Sequence, residues 1–359
     1  MADVHFLPVQ VRRLDTKASL LYRFEQLLER MVTPEMVRDK DVAVKFHLGG
    51  RYGYTHVHPA FARRVVMRVK EAGGKPFITD HRTGNVNSGM TSEVLGCPIY
   101  HATGLKDRYV YKKRVGGKLK TVELAGYLVD ADVLINLSHA KGHGQCGFGG
   151  AIKNLGMGAV TGQTRSDIHW LIDSDFKWHV DKCTHCRLCI RNCPHEALMF
   201  NKEGKLRQDS HNCNYCLHCV TLCPQAAIEF GDKGWRDFQV ALAYAAKAVT
   251  DTFRKGRQLH INVALGITPL CDCWGFSTAP ILADVGITAS TDPVAVDKAT
   301  IDLLDAKDVL PDTLPETIKI QPEGKHLLER IWGKDPYAQV EAAAKLKMGS
   351  MKYKLVRHA

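Results

Sequence analysis

The stretch Cys183-Thr-His-Cys186-Arg-Leu-Cys189-Ile-Arg-Asn-Cys193-Pro194 is followed by Cys213-Asn-Tyr-Cys216-Leu-His-Cys219-Val-Thr-Leu-Cys223-Pro224. One run of four cysteines and a proline is thus made twice. Three closely spaced thiolates can wrap three irons of a cubane, and a distant fourth closes it. In paired runs of this kind the fourth cysteine of each serves the other cluster. The spacing predicts one [4Fe–4S] cluster on Cys183, Cys186, Cys189 and Cys223, and a second on Cys213, Cys216, Cys219 and Cys193. Structural zinc also uses paired cysteines, but it has no use for a four-cysteine run ending in proline and made twice.

Over residues 176–232 the chain resembles two-cluster bacterial ferredoxins. Outside that stretch the pattern changes. Residues 17–32 place Leu20, Leu21, Phe24, Leu27, Leu28 and Met31 at helical spacing. Asp41–Leu48 alternates Val42, Val44 and Phe46 and reads as a strand, with Lys45 and His47 near its carboxyl end. A helix from Pro59 to Ala72 and a strand from Lys75 to Thr79 follow, a strand–helix–strand order that argues for a parallel sheet. Two extended arms around Gly116-Gly117 predict a hairpin within 108–124. Asp132–Ser138 reads as a buried strand.

Strand signals resume at His260–Leu265, after a helix over Asp237–Lys255. Asp292-Pro293 is a cap followed by a first-turn proline. Two helical stretches, near His326–Trp332 and Pro336–Lys347, close the pattern. The expected fold class is therefore α/β. A mostly parallel sheet domain is interrupted by an inserted two-cluster ferredoxin-like module. Residues 1–175 form its first part, 176–232 the module, and 233–359 the second part with a basic helical tail.

Composition sets bounds. No run of 18 apolar residues and no charged-then-apolar leader is present, which predicts a protein that neither spans a membrane nor leaves the cell. Eight of the twelve cysteines are claimed by the clusters, and free thiols fit a reducing, anaerobic cytoplasm. The formal charge of +11 falls to about +7 once thiolates and cluster cores are counted. The lysines are dispersed and no nucleic-acid motif accompanies them, so nucleic acid is not expected as a partner. The basic tail at Lys345, Lys347, Lys352, Lys354 and Arg357 reads as a solvated face or a docking patch for an acidic electron carrier.

A second constellation follows the Asp132–Ser138 strand: Ser138-His139-Ala-Lys141-Gly142-His143-Gly-Gln-Cys146-Gly147-Phe148-Gly149-Gly150-Ala-Ile-Lys153-Asn154-Leu-Gly156-Met157-Gly158. Glycines permit close backbone approach to a ligand. Exposed amides with Lys141 and Lys153 suit an anion, and histidines suit metal binding or proton transfer. A third feature is Cys271-Asp272-Cys273, which the clusters do not need. It is either a buried apolar turn or a reactive or metal-binding loop. Cys146 could join it, while Cys97 reads as structural.

The phrases VKFHLGG, GGKPFITD, SHAKGHGQCGFGGAIKNLGMG and CDCWGFSTAPILADVGITASTDPVAVDKA, in order with the cysteine runs, resemble the iron–sulfur family called domain of unknown function 362, over about residues 41–305. The chain departs from its commonest pattern at Asp80-His81-Arg82-Thr83 and in the basic hairpin. The glycine-rich loop is also similar to that of nickel-pincer lactate racemases. His143 precedes Lys153 by ten residues and His169 follows by sixteen. The second resemblance implies a proton-shuttling, a cofactor-bearing and a metal-binding role in that order, and a ligand pocket at this loop.

The expected function is an iron–sulfur redox protein that passes single electrons to a small anionic substrate or cofactor. Its catalytic candidates are His143, Lys153, His169, Cys271 and Cys273. Lys45, His47, His139, Lys141, Gly149, Gly150 and Asn154 are expected to bind the ligand, with a further metal ion or cofactor beside His143, Cys271 and Cys273. Electrons would come from a ferredoxin- or flavodoxin-type carrier or a partner redox enzyme. Two alternatives stay open: an electron-transfer scaffold for a partner, and a metal- or cofactor-handling protein using the Cys-Asp-Cys loop. Self-association is left open.

Overall fold

Val133, Ile135 and Leu137 alternate with Leu134 along one strand, and these side chains enter two different apolar cores. A strand buried on both faces belongs in the middle of a layered α/β sheet. The computed structural model describes residues 1–11, 13–50, 52–81, 89–210, 212–213, 216–231, 233–306, 308–316, 318, 320–321 and 325–358. Its central sheet has eight strands: β1 (Ala2–Pro8), β2 (Asp41–Phe46), β3 (Lys75–Asp80), β4 (Ile99–His101), β5 (Val133–His139), β6 (Gln258–Ala264), β7 (Gly286–Ser290) and β8 (Tyr353–Arg357). Their spatial order is β8-β1-β7-β6-β5-β2-β3-β4. Among them β7 alone runs against its neighbours.

Helices cover both faces. Helices α1 (Leu20–Met31) and α2 (Pro59–Glu71) place Phe24, Leu27, Leu28, Val65 and Val69 against Val133, Ile135 and Leu137. On the other face lie α3 (Ala151–Gly158), α4 (Gly162–Asp173), α5 (Gly234–Thr250) and α6 (Pro293–Leu303), with Ile152, Ile168, Leu242 and Ile301 in the second core. Asp292 caps α6 by accepting from the amides of Val294 and Ala295, both at 2.9 Å, as the Asp-Pro pair predicts.

The chain steps from β2 to β3 to β4 in one direction, then returns to place β5 on the other side of β2. The strand order reverses there, and such a reversal opens a crevice at the carboxyl ends of parallel strands. Strand β5 is flanked by β2 from before the cysteine runs and β6 from after them. One sheet is thus built from both flanks.

Two expectations are corrected. The basic tail is helical only over Ala338–Lys345, whereas Lys354 and Arg357 lie on β8, which pairs parallel with β1. A short basic strand at a sheet edge blunts unwanted pairing. Strands β1, β4, β7 and β8 also join the sheet without having been predicted. The predicted hairpin forms, Val110–Arg114 against Thr121–Ala125.

Residues 176–230 make a small satellite unit. Phe176–Trp178 pairs with Ile228–Phe230, and Leu198–Phe200 with Leu206–Gln208, both antiparallel. One-turn helices Leu188–Arg191 and His218–Thr221 each follow a left-handed residue, Arg187 and Leu217. Left-handed Glu196 and Ala226 repeat the correspondence. Leu198, Leu206 and Ile228 form the unit's own core, with Phe176, Trp178, Phe200 and Phe230 around it. Among the described residues no helix is long and apolar enough to cross a membrane.

Candidate functional site

Three strands of the central sheet end at one cleft, whose empty space, its open mouth included, is about 500 Å³. From β2 comes His47, from β3 Asp80 and His81, and from β5 Ser138 and His139. The glycine-rich loop adds Lys141, Gly149 and Gly150, and α3 adds Lys153, Asn154, Met157 and Gly158. Arg165 of α4 and Cys273 complete the lining. Arg82 and Thr83, part of the departure noted in the sequence, lie outside the described residues.

The polar groups beneath the cavity are paired in a fixed way. Strand alternation puts Asn136 and Ser138 on the α3 face of β5, where the Asn154 amide donates to Asn136 Oδ1 at 2.8 Å and to Ser138 Oγ at 3.1 Å. Buried Lys45 donates to Asn154 Oδ1 at 2.7 Å and pairs with Asp80 at 2.9 Å. The other Asp80 oxygen meets His47 Nδ1 at 2.9 Å. Burial opposes ionisation of Asp80, but Lys45 and His47 overcome it and hold the carboxylate well below the usual range. Burial, then the charge of Arg165, pushes His81 down to about 4, so its ring is neutral at neutral pH.

A second carboxylate organises the other wall. Asp272 accepts from Lys141 Nζ at 2.9 Å and from His139 Nδ1 at 3.0 Å, while His139 Nε2 donates to the Leu265 carbonyl at 2.9 Å. Burial works against the Asp272 charge, and its contacts with His139 and Lys141 prevail. In the sequence Asp272 is noted only as the residue between two cysteines. Its role as a clamp depends on partners more than 130 positions away.

The two predicted loops meet. A ring nitrogen of His143, Cys271 Sγ and Cys273 Sγ all lie within 4.8 Å of one another. Gly142 permits this, because its backbone packs against Pro269 and its amide donates to the Thr268 carbonyl at 2.9 Å. Lys153 Nζ donates to Cys271 Sγ at 3.1 Å, and the Cys273 amide approaches the same sulfur at 3.4 Å. Burial pushes the Cys271 thiol up, yet the Cys273 hydrogen bond and the charges of Lys153 and Lys141 leave it well below a free thiol. Cys273 is displaced the opposite way, first by its hydrogen bond with Cys271 and then by burial. The His143, Cys271 and Cys273 donors could hold a metal ion. However, His143 Nδ1 already accepts from the Gln145 amide at 3.1 Å, and Cys271 already receives an ammonium.

Several expectations change. His169 does not line the cavity; it sits on α4 with its ring 5.4 Å from that of Phe238. The chain breaks helix between α3 and α4, so a spacing counted from Lys153 does not fix direction. The amides opening α3 are not free for an anion: Ala151 and Ile152 donate to Asp297 at 2.7 and 2.9 Å. Lys45, Lys141 and Lys153 each already have a partner, so none is a bare anion anchor. Cys146 stays out of the cysteine loop's chemistry, since its thiol donates to the Phe148 carbonyl and burial pushes it up to about 12. Cys97 is buried, as expected.

The cysteine runs sort across the repeat. One cavity of the satellite unit is lined by Cys183, Cys186, Cys189 and Cys223, together with Leu188, Phe200, Leu206 and Ile228. The other is lined by Cys193, Cys213, Cys216 and Cys219, with Leu198 and Phe230. The Ala197 and Ala227 amides approach the sulfurs of Cys193 and Cys223, both at 3.3 Å. The second cavity abuts the glycine-rich loop. Gln145 donates to Ser210 Oγ at 2.7 Å, and buried Lys334 donates to the Cys213 carbonyl. Gly147, left-handed, lets the loop pass directly against the Lys334 backbone.

Comparison with known proteins is sparse. A family model described as Domain of unknown function (DUF362) matches residues 42–302. No curated protein matches the chain. Among solved structures, a protein from Thermotoga maritima is similar at 13% identity and a TM-score of 0.37, covering 70% of this chain and 52% of that one. The lactate racemase apoprotein from Thermoanaerobacterium thermosaccharolyticum is similar at 13% identity and a TM-score of 0.35, covering 74% of this chain and 51% of that one. The chain thus spans about half the length of either structure.

Proposed function

The chain belongs to the DUF362 family, and from that premise we propose that it is an iron–sulfur redox protein acting on a small anionic molecule. The observation that carries this reading is the sorting of eight cysteines into two four-thiol cavities, each completed by the distant cysteine of the other run. That is the donor set of two [4Fe–4S] clusters in a ferredoxin-like module. Apolar lining and amides directed at sulfur also suit such groups. Cys183, Cys186, Cys189 and Cys223 would hold one, and Cys193, Cys213, Cys216 and Cys219 the other. When bound, they supply electrons singly.

The remaining work falls to the chain's own groups. Gln145 and Lys334 fix the second cysteine cavity against the glycine-rich loop, whose next residues line the substrate cavity. Electrons from the second cluster would pass through that contact. Among the described residues the lining sets Lys141, Lys153 and Arg165, with the imidazoles of His47 and His139, against the carboxylate of Asp80. That balance favours a small anion. His47 is oriented by Asp80 at Nδ1, and among the described residues its buried Nε2 has no protein partner. It would pass a proton to the bound molecule.

The test is anaerobic iron and sulfide analysis of the full chain. About eight of each per chain are expected. A count near four, or stoichiometric zinc on these cysteines, would overturn the reading.

A further inference from the structure

We propose that Cys271 and Cys273 form a redox-active dithiol, cycling through an internal disulfide, that reduces a small anionic disulfide in the cavity. Four observations carry it. The two sulfurs lie within 4.8 Å of each other, and a two-residue separation keeps their backbones within bridging reach. The sulfurs differ in access: Cys271 is buried, whereas Cys273 is half-buried and lines the cavity. Lys153 donates to Cys271 and stabilises a thiolate there. His143 lies within the same 4.8 Å and offers an N–H donor beside a thiolate sulfur. Its Nδ1 accepts from the Gln145 amide, so the neutral ring carries its proton on Nε2.

The cycle balances. Cys273 attacks one sulfur of the substrate disulfide, and the first substrate thiolate released takes up the Cys273 proton. Cys271 thiolate then attacks the Cys273 sulfur of the mixed disulfide and releases the second. An internal Cys271–Cys273 disulfide remains. Two electrons and two protons return it to the dithiol. The source of those electrons rests on the cluster reading above, delivered one at a time past Gln145 and Lys334. The dithiol itself does not depend on it, because any thiol reductant can serve in vitro.

The test uses that separation. The full chain is equilibrated anaerobically in glutathione buffers of stepped ratio, quenched with an alkylating agent, and digested for mass spectrometry. The peptide with Cys271 and Cys273 should lose two alkyl groups together in one two-electron transition, while buried Cys97 and Cys146 stay reduced. Cys271→Ser should abolish the transition and leave Cys273 trapped as a glutathione mixed disulfide. Both thiols staying alkylatable at every ratio in the wild-type chain would overturn the proposal. So would a bound metal ion that shields both until it is chelated, with no disulfide formed afterwards. A transition in a chain lacking eight irons would remove only the proposed electron source. Eight irons without a transition would remove only the dithiol.

Discussion

Lys153 Nζ and Cys271 Sγ lie 3.1 Å apart although 118 positions separate them in the chain. The contact joins the helix after β5 to the loop after β6. It adds to the hydrogen bond from Cys273 in favouring charge on the Cys271 sulfur. An ammonium beside a buried sulfur favours thiolate over thiol.

Replacing Lys153 with Met should therefore slow alkylation of Cys271 at pH 7 by at least about tenfold, the effect of one unit in a thiol's ionisation. The rate should recover as pH rises. Site-resolved alkylation kinetics over pH 6–10 would check it, and an unchanged profile would show that the lysine does not set the charge.

Cys193→Ala should damage the cavity it lines with Cys213, Cys216 and Cys219, not the run it belongs to. Iron should fall to about half, and the surviving signal should be lost only when Cys223→Ala is added. Retention of the Cys213 site in the single variant would mean that each run closes on itself.

Gly142→Ala tests how the two loops are held. An added Cβ would sit 2.5 Å from the Pro269 carbonyl oxygen, which is backbone and cannot swing aside. Overpacking of this kind costs roughly 1–3 kcal/mol. Thermal unfolding should show that loss. The variant should also bring Cys273 and His143 out of register, read as faster alkylation of Cys271.

His260 supplies a pH dependence. Burial on β6 pushes its ring down to about 3, whereas an unfolded chain restores about 6.5. The lowered value means that the unfolded chain takes up the proton first. Stability from this ring is thus present above pH 6.5 and lost as pH falls toward 3. Between pH 7 and 5 the loss is about 2 kcal/mol. Unfolding of the wild type and His260→Gln across that range should converge by this amount, and parallel curves would contradict it.

The middle of the sheet was legible in the sequence because β2, β5 and β6 are buried and read as apolar runs. Strands β7 and β8 were not: Gly286–Ser290 is short and small, and the β8 sequence looks like a charged tail. The meeting of the glycine-rich and Cys-Asp-Cys loops followed from one rule, that loops after parallel strands share an edge. What that rule cannot supply is pairing. Asp272 clamping His139, Asp297 filling the start of α3, and Lys334 reaching the Cys213 carbonyl are contacts between distant segments, with no local signal. His169 was misplaced because residue spacing carries direction only while one helix continues.

Strand β5 pairs on one side with β6, which begins at Gln258, beyond the last cysteine of the satellite unit. A ribosome therefore releases all eight run cysteines before the sheet can acquire its next strand. During that interval the nascent chain offers its thiols to the cell while the Asp272 and Cys273 wall of the pocket is still missing. Cys271 and Cys273 emerge later still. The run cysteines thus leave the ribosome before either the Cys271–Cys273 loop or Lys334, which holds the Cys213 carbonyl.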